Sequence, residues 1–193
     1  MRKFLPWIIV IGVVLLIVFW VISAKNQALR YNQAVSKEWG NVETAYQRRN
    51  DLIGNLVNTV KGAAEFEKGT LTAVIEARAK ATSVNIDPTN ITPEQMTQFQ
   101  QAQSGVSSAL SRLLVTVERY PDLKANQNFL KLQDELASTE NQILTARTRY
   151  NESVEVYNGY VLTSPRNLVL GSYPERPYFK SVAGADKPVE VKF

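Results

Sequence analysis

"LQDELASTENQILTARTRYNESVEVY", Leu132–Tyr157, decides the fold. Leu132, Leu136, Thr139, Ile143, Ala146, Tyr150, Ser153 and Tyr157 recur at alternating steps of four and three, the spacing of a helix seam in a bundle or coiled coil. Neither Gly nor Pro interrupts the run, which as a helix is about 39 Å long. A helix with one apolar stripe buries it against other elements, so the fold class depends on what flanks it.

Upstream, Trp39, Val42, Tyr46, Ile53, Val57, Val60, Ala64, Leu71 and Val74 keep helical phase, with Asn50 and Glu67 filling the missing turns. The phase carries through Gly69, so the pattern predicts one helix from Lys25 to Thr82. Gly40, Gly54, Gly62 and Gly69 weaken it by roughly 1 kcal/mol each relative to Ala. A break at Gly69, with Thr70 capping a new helix, is the competing reading. "SVNIDPTNITPEQ", Ser83–Gln95, reads as a loop ending in a capping box: Thr92 as cap, Pro93 in the first turn, Gln95 three residues on. The next helix carries Met96, Phe99, Val106, Leu110, Leu113, Val117 and Tyr120 near one face, and its glutamine-rich start, "QMTQFQQAQ", reads as solvated. Pro121-Asp122 ends it, and Asn126 is placed to cap the last helix, which runs to about Val161. The fold class is therefore all-α: an antiparallel bundle of three to four long helices.

The first 24 residues are a different material. "FLPWIIVIGVVLLIVFWVI", Phe4 to Ile22, has no charge and is long enough as a helix to cross the ~30 Å hydrocarbon core, with Trp7 and Trp20 near its ends. A cleavable signal peptide, releasing a soluble protein after Ala24, is the alternative. The run exceeds an h-region and Ile22 is large for a cleavage motif, which favours an uncleaved anchor. Without cysteine, lipoprotein processing is excluded. Arg2 and Lys3 precede the span while Lys25, Arg30 and Lys37 follow it, so flanking charge does not decide orientation. The short basic N-terminus favours a cytoplasmic end and a bundle on the periplasmic or outer side of the inner membrane. The organisation expected is an anchor over 1–24, a bundle over 25–162 and an irregular tail over 163–193. In the tail "NLVLGSYPERPYF", Asn167–Phe179, lies along the bundle, with disorder after about Gly184.

The composition removes most catalytic chemistry. There is no His, so neither a histidine metal site nor an imidazole base is available. Residues 25–193 hold 20 basic and 18 acidic side chains, which is no nucleic-acid footprint. Glu118, Asp122, Asp134, Glu135 and Glu140 lie close in sequence, but adjacent helical residues diverge by about 100° and no loop supplies alternating oxygen ligands. No cofactor, metal, small-molecule substrate or nucleic acid is expected. Arg48, Arg49, Asp51 and Asn55 line a polar strip beside the first stripe, and Glu140, Asn141, Arg147 and Asn151 line one beside the last. Packed antiparallel, Arg48 or Arg49 would pair with Glu140 and Asp51 with Arg147, setting register or forming a recognition surface. A Tyr-Asn dipeptide recurs at Tyr31-Asn32, Tyr150-Asn151 and Tyr157-Asn158, read as seam packing with an edge hydrogen bond.

"YNQAVSKEWGNVETAYQRRNDLIGNLVNTVKG", "TLTAVIEARAKA", "ERYPDLKANQNFLKLQDELASTENQILTARTRYNESVEVYN" and the tail "PYF", in that order, closely resemble the bacterial LemA family, from Tyr31 to Phe179. The resemblance implies a membrane-anchored antiparallel helical bundle with no established catalytic residues. Two positions depart from it. Gly54 stands where the family often has Pro, and Phe66-Glu67 where it often has His-Glu, so no imidazole relay applies and Phe66 should pack. The functional expectation is a non-enzymatic scaffold or interaction module, embedded in the bilayer through residues 4–22. It would associate with itself or with another envelope protein. The rival class is an enzyme, or an accessory subunit of one, using carboxylates and a divalent cation.

Overall fold

The computed structural model describes residues 5–62 and 66–180, and all its regular structure is helical. Helix α1, Leu5–Lys61, runs unbroken for 57 residues from the apolar span into the bundle, about 85 Å. It is followed by α2 (Lys68–Thr82), α3 (Pro93–Val117), the single turn α4 (Pro121–Lys124), α5 (Gln127–Val161) and a 3-10 turn, Arg166–Leu168. From Trp7 to Ile22 the large apolar side chains of α1 other than the half-buried Val21 are exposed, 68% at Trp7 and 54% at Ile22. This helix is long and apolar enough to cross a membrane. Phe4, at the head of the expected span, lies outside the described residues, as do Ala64 and the segment after Gly184.

The predicted single helix from Lys25 to Thr82 is two helices. α1 stops at Lys61, Gly62 makes the turn, and α2 starts at Lys68. The break is therefore not at Gly69, which sits in the first turn of α2. Neither is Thr70 a cap: Glu67 holds the cap position, is exposed, and pairs with Arg119 at 3.0 Å. The periodicity misled because two separate helices can keep the same phase as one continuous helix. Phe66 does pack, its ring 4.9 Å from that of Tyr120.

The break splits the bundle into two antiparallel pairs, α1 with α5 and α2 with α3. Along the first pair Tyr31 meets Tyr160, Trp39 meets Tyr150 and Arg49 meets Glu140, so the register is continuous. The capping box at Thr92 is formed in both directions, Gln95 N to Thr92 Oγ1 at 3.2 Å and Thr92 N to Gln95 Oε1 at 3.0 Å. Asn126 caps α5 by accepting from the amides of Asn128 and Phe129 at 2.9 and 3.2 Å.

Two apolar clusters fill the interior. One centres on Trp39, with Phe99, Tyr150 and Phe179 at ring distances of 5.2, 5.6 and 5.9 Å. The other is mainly aliphatic, with Phe129 among its members, and joins Ile53, Leu56 and Val60 to Val74, Val106 and Leu113. The seam of α5 drifts from its expected course. Ser153 is half-buried and donates to the Tyr150 carbonyl at 2.7 Å, while Val154 is fully buried. A straight helix turns every 3.6 residues, so a strict seven-residue repeat slips by about 20° per heptad.

Candidate functional site

Arg49 is the polar centre between the two helix pairs. It is 2% exposed and projects from α1 toward α3 and α5. Nη1 donates to Glu140 Oε1 at 3.0 Å and to Ser107 Oγ at 3.2 Å, and Nη2 donates to Gln103 Oε1 at 2.5 Å. Its guanidinium also lies 4.9 Å over the Tyr46 ring. Of the two arginines, then, Arg49 takes Glu140. One step of about 100° along α1 leaves Arg48 in solvent. Gln103, read from sequence as part of a solvated face, is 5% exposed because it closes this network.

Asp51 does not reach Arg147; it accepts from Gln47 Nε2 at 2.9 Å, one turn back on its own helix. Arg147 turns to the C-terminal tail, where it donates to the Lys180 carbonyl at 2.9 Å and covers the Phe179 ring at 4.8 Å. Asn151 follows it. Its Nδ2 donates to the Phe179 carbonyl at 3.0 Å, and its Oδ1 accepts from the Phe179 amide at 2.8 Å.

That contact is half of a repeated clamp. Asn158 holds Arg176 the same way, Nδ2 to its carbonyl and its amide to Oδ1, both at 2.9 Å. Tyr150 Oη donates to the Pro177 carbonyl at 3.1 Å and Tyr157 Oη to the Pro174 carbonyl at 3.0 Å. Each Tyr-Asn pair thus binds a tail residue and the residue two further on. Seven residues of helix rise about 10.5 Å, and three residues of extended chain cover close to that. The tail therefore runs antiparallel to α5 in step with the dipeptide. The third pair supplies Asn32, whose Oδ1 accepts from Arg176 Nη2 at 2.6 Å and Nε at 3.0 Å. Arg176 Nη2 also donates to the Thr89 carbonyl in the α2–α3 loop.

Burial sets the electrostatics here. Desolvation raises the phenols of Tyr46, Tyr150 and Tyr157 above their ordinary range, and it lowers Arg176. Asp87, fully exposed, is held below the usual carboxylate range by the Thr89 hydroxyl at 2.7 Å and the Thr89 amide at 2.8 Å.

Arg48 and Asp51 line a cleft of about 710 Å³ between α1, the end of α2 and α3, with Asn50 and Phe99 in its walls. Asn55, also exposed, lines a smaller one of about 390 Å³ with Arg78, whose guanidinium lies 3.3 Å from where a Cβ on Gly54 would stand. Asn141 lies on a shallow surface of about 370 Å³ with Asn41 and Arg149. The strip residues therefore separate. Arg49, Glu140, Arg147 and Asn151 hold the fold, whereas Arg48, Asp51, Asn55 and Asn141 face outward. The acidic residues near the α3–α5 connection do not gather: Glu118 pairs with Lys124, and no group of three or more acidic side chains forms among the described residues.

The model of the LemA family matches residues 38–193, four fifths of the chain. The chain belongs to the LemA family. It is 24% identical to Protein LemA of Metamycoplasma hominis over 151 residues, covering 78% of this chain and 65% of that relative. Similar likeness extends to the magnetosome protein MamQ 2 of Paramagnetospirillum magneticum, 24% over 186 residues with 83% and 68% covered. MamQ of Magnetospirillum gryphiswaldense is also 24% identical, over 178 residues with 82% and 65% covered. The chain thus spans about two thirds of the length of these relatives.

Two outcomes follow. Arg49→Ala leaves Gln103 and Glu140 without their donor and should cost about 2–4 kcal/mol in urea unfolding. Glu140→Gln, at a site 45% exposed, should cost less than about 1 kcal/mol; equal costs would contradict the asymmetry. The raised phenols give the second outcome. Below pH ~10 both folded and unfolded chains keep these groups neutral. Above it only the unfolded chain ionises them, so stability is lost as pH rises toward their folded values. Melting between pH 8 and 11 should fall, and the decline should be shallower in Tyr150→Phe, which is weaker at pH 8 by about 1 kcal/mol for the lost bond to Pro177.

Proposed function

We propose that this LemA-family chain is a non-enzymatic, single-pass scaffold or interaction module of the cell envelope, anchored in the inner membrane with its bundle on the periplasmic or outer side. It associates with further copies of itself. The observation that carries this reading is the continuity of α1: one helix is both membrane span and central bundle wall, so the bundle stands at a fixed height above the lipid.

The outward strip supplies the contact. Arg48, Asp51, Asn55 and Asn141 are exposed polar residues beside clefts, and their neighbours Arg49 and Glu140 already supply the register. Alternating cationic, anionic and amide groups suit a self-complementary interface, because copies related by a two-fold axis set each charge against its opposite. Light scattering of the full-length protein in mild detergent should give a discrete multiple of its 21.7 kDa mass. Arg48→Ala with Asp51→Ala should lower that mass while helix content and melting temperature hold. A monomer at every protein concentration would remove self-association.

A further inference from the structure

The end of the bundle nearest the span carries a feature that the interior does not explain. Past α5 the chain makes the 3-10 turn Arg166–Leu168 and returns beside α1, where Tyr173 Oη donates to the Lys25 carbonyl at 3.4 Å. Lys25 is the first charge after the apolar run. Ala24 and Ala28 are buried at 4% and 0%, and Ala28 shares a cluster with Val161 and Leu170. Small side chains on α1 thus let this turn pack level with the point where the helix leaves the hydrocarbon.

Leu168 on that turn is 80% exposed, more than Phe19 within the span, and Leu162 is 50% exposed. The flanking sequence is basic, with Glu175 the first carboxylate after the turn. Segments 24–35 and 159–174 contain Lys25, Arg30 and Arg166 and no Asp or Glu. Arg166 lies 4.4 Å over the Tyr160 ring, which packs at 5.1 Å on Tyr31 of α1, so its cation is held at this end of the bundle.

We infer that the turn from Leu162 to Leu170 is a second membrane contact, in which Leu162 and Leu168 enter the boundary between headgroups and acyl chains while Lys25, Arg30 and Arg166 meet anionic headgroups. Exposed leucines at the same end of the bundle as several cations, where an apolar helix ends, match an interfacial anchor, and basic groups within a Debye length of an anionic surface are drawn to it. The occupant is the bilayer that α1 crosses. Two contacts would fix the rotation of the bundle about α1, which a single helix leaves free. This inference rests on α1 being a membrane anchor.

The chain has no cysteine, so one introduced thiol carries the only label. Full-length Leu168→Cys, Leu144→Cys and Leu15→Cys are each labelled with a polarity-sensitive fluorophore and reconstituted into phosphatidylcholine–phosphatidylglycerol vesicles. Leu144 is 63% exposed and lies 17 residues, about 25 Å, back along α5 from Val161. Quenching by a lipid-borne nitroxide should be several-fold stronger at position 168 than at 144, with matching protection from aqueous iodide. Position 168 behaving like 144 while 15 is lipid-quenched would overturn the second contact and leave the anchor standing. Protection from iodide without lipid quenching would overturn it too, because protein would then cover the turn. If position 15 is not lipid-quenched, the anchor itself fails and the inference falls with it. Far-UV circular dichroism of each labelled protein checks that the helices are intact.

Discussion

Arg176 is a guanidinium buried to 1% exposure, and no ion pair among the described residues includes it. Desolvating such a charge costs several kcal/mol, which is tolerable only where fixed acceptors surround it. Asn32 of α1 and the Thr89 carbonyl of the α2–α3 loop accept from its Nε and Nη2, while Asn158 of α5 holds the same residue by its backbone amide and carbonyl. Each comes from a different element, and the tail supplies the arginine. The requirement therefore ties the tail to α1 and to the α2–α3 loop, and the backbone clamp adds α5, which makes the tail part of the core. Phe179 completes it by stacking on Trp39 and closing the aromatic cluster.

The same logic repeats along α1. Next to the apolar run its small residues admit the returning tail. Further up, Asn32 and Trp39 fix that tail and the aromatic core, and then Arg49 ties in α3 and α5. Beyond Arg49 the helix turns aliphatic and packs on the second hairpin. A single helix thus carries the apolar run, the tail contacts, the polar network and the aliphatic core in sequence. The apolar run joins the bundle through one unbroken helix.

Much of this was legible in the sequence where the signal is local. Thr92 and Asn126 cap helices because a side-chain oxygen two or three residues before free amides has little else to do. The α5 seam was readable from its spacing until the mismatch between 3.5 and 3.6 residues shifted it from Ser153 to Val154. The break at Gly62 was not readable, because phase is preserved across it. Choosing Arg49 over Arg48, or denying Asp51 its partner on α5, needs the helix rotation to within a fraction of a turn. The Tyr-Asn repeat was plain, but its purpose was hidden, since the partners lie 17 to 28 positions away in an irregular segment. Arg176, whose acceptor on α1 is 144 positions off, carries no local mark at all.

The most direct measurement is amide hydrogen exchange resolved to single residues in the full-length protein. The Arg176 and Phe179 amides donate to asparagine side chains of α5, inside a segment with no backbone ladder of its own. If the tail is part of the core, both amides exchange as slowly as the interior of α5 and open only with it. Exchange of both at the rate of an unstructured chain, while α5 stays protected, would show a tail resting on a bundle that stands without it.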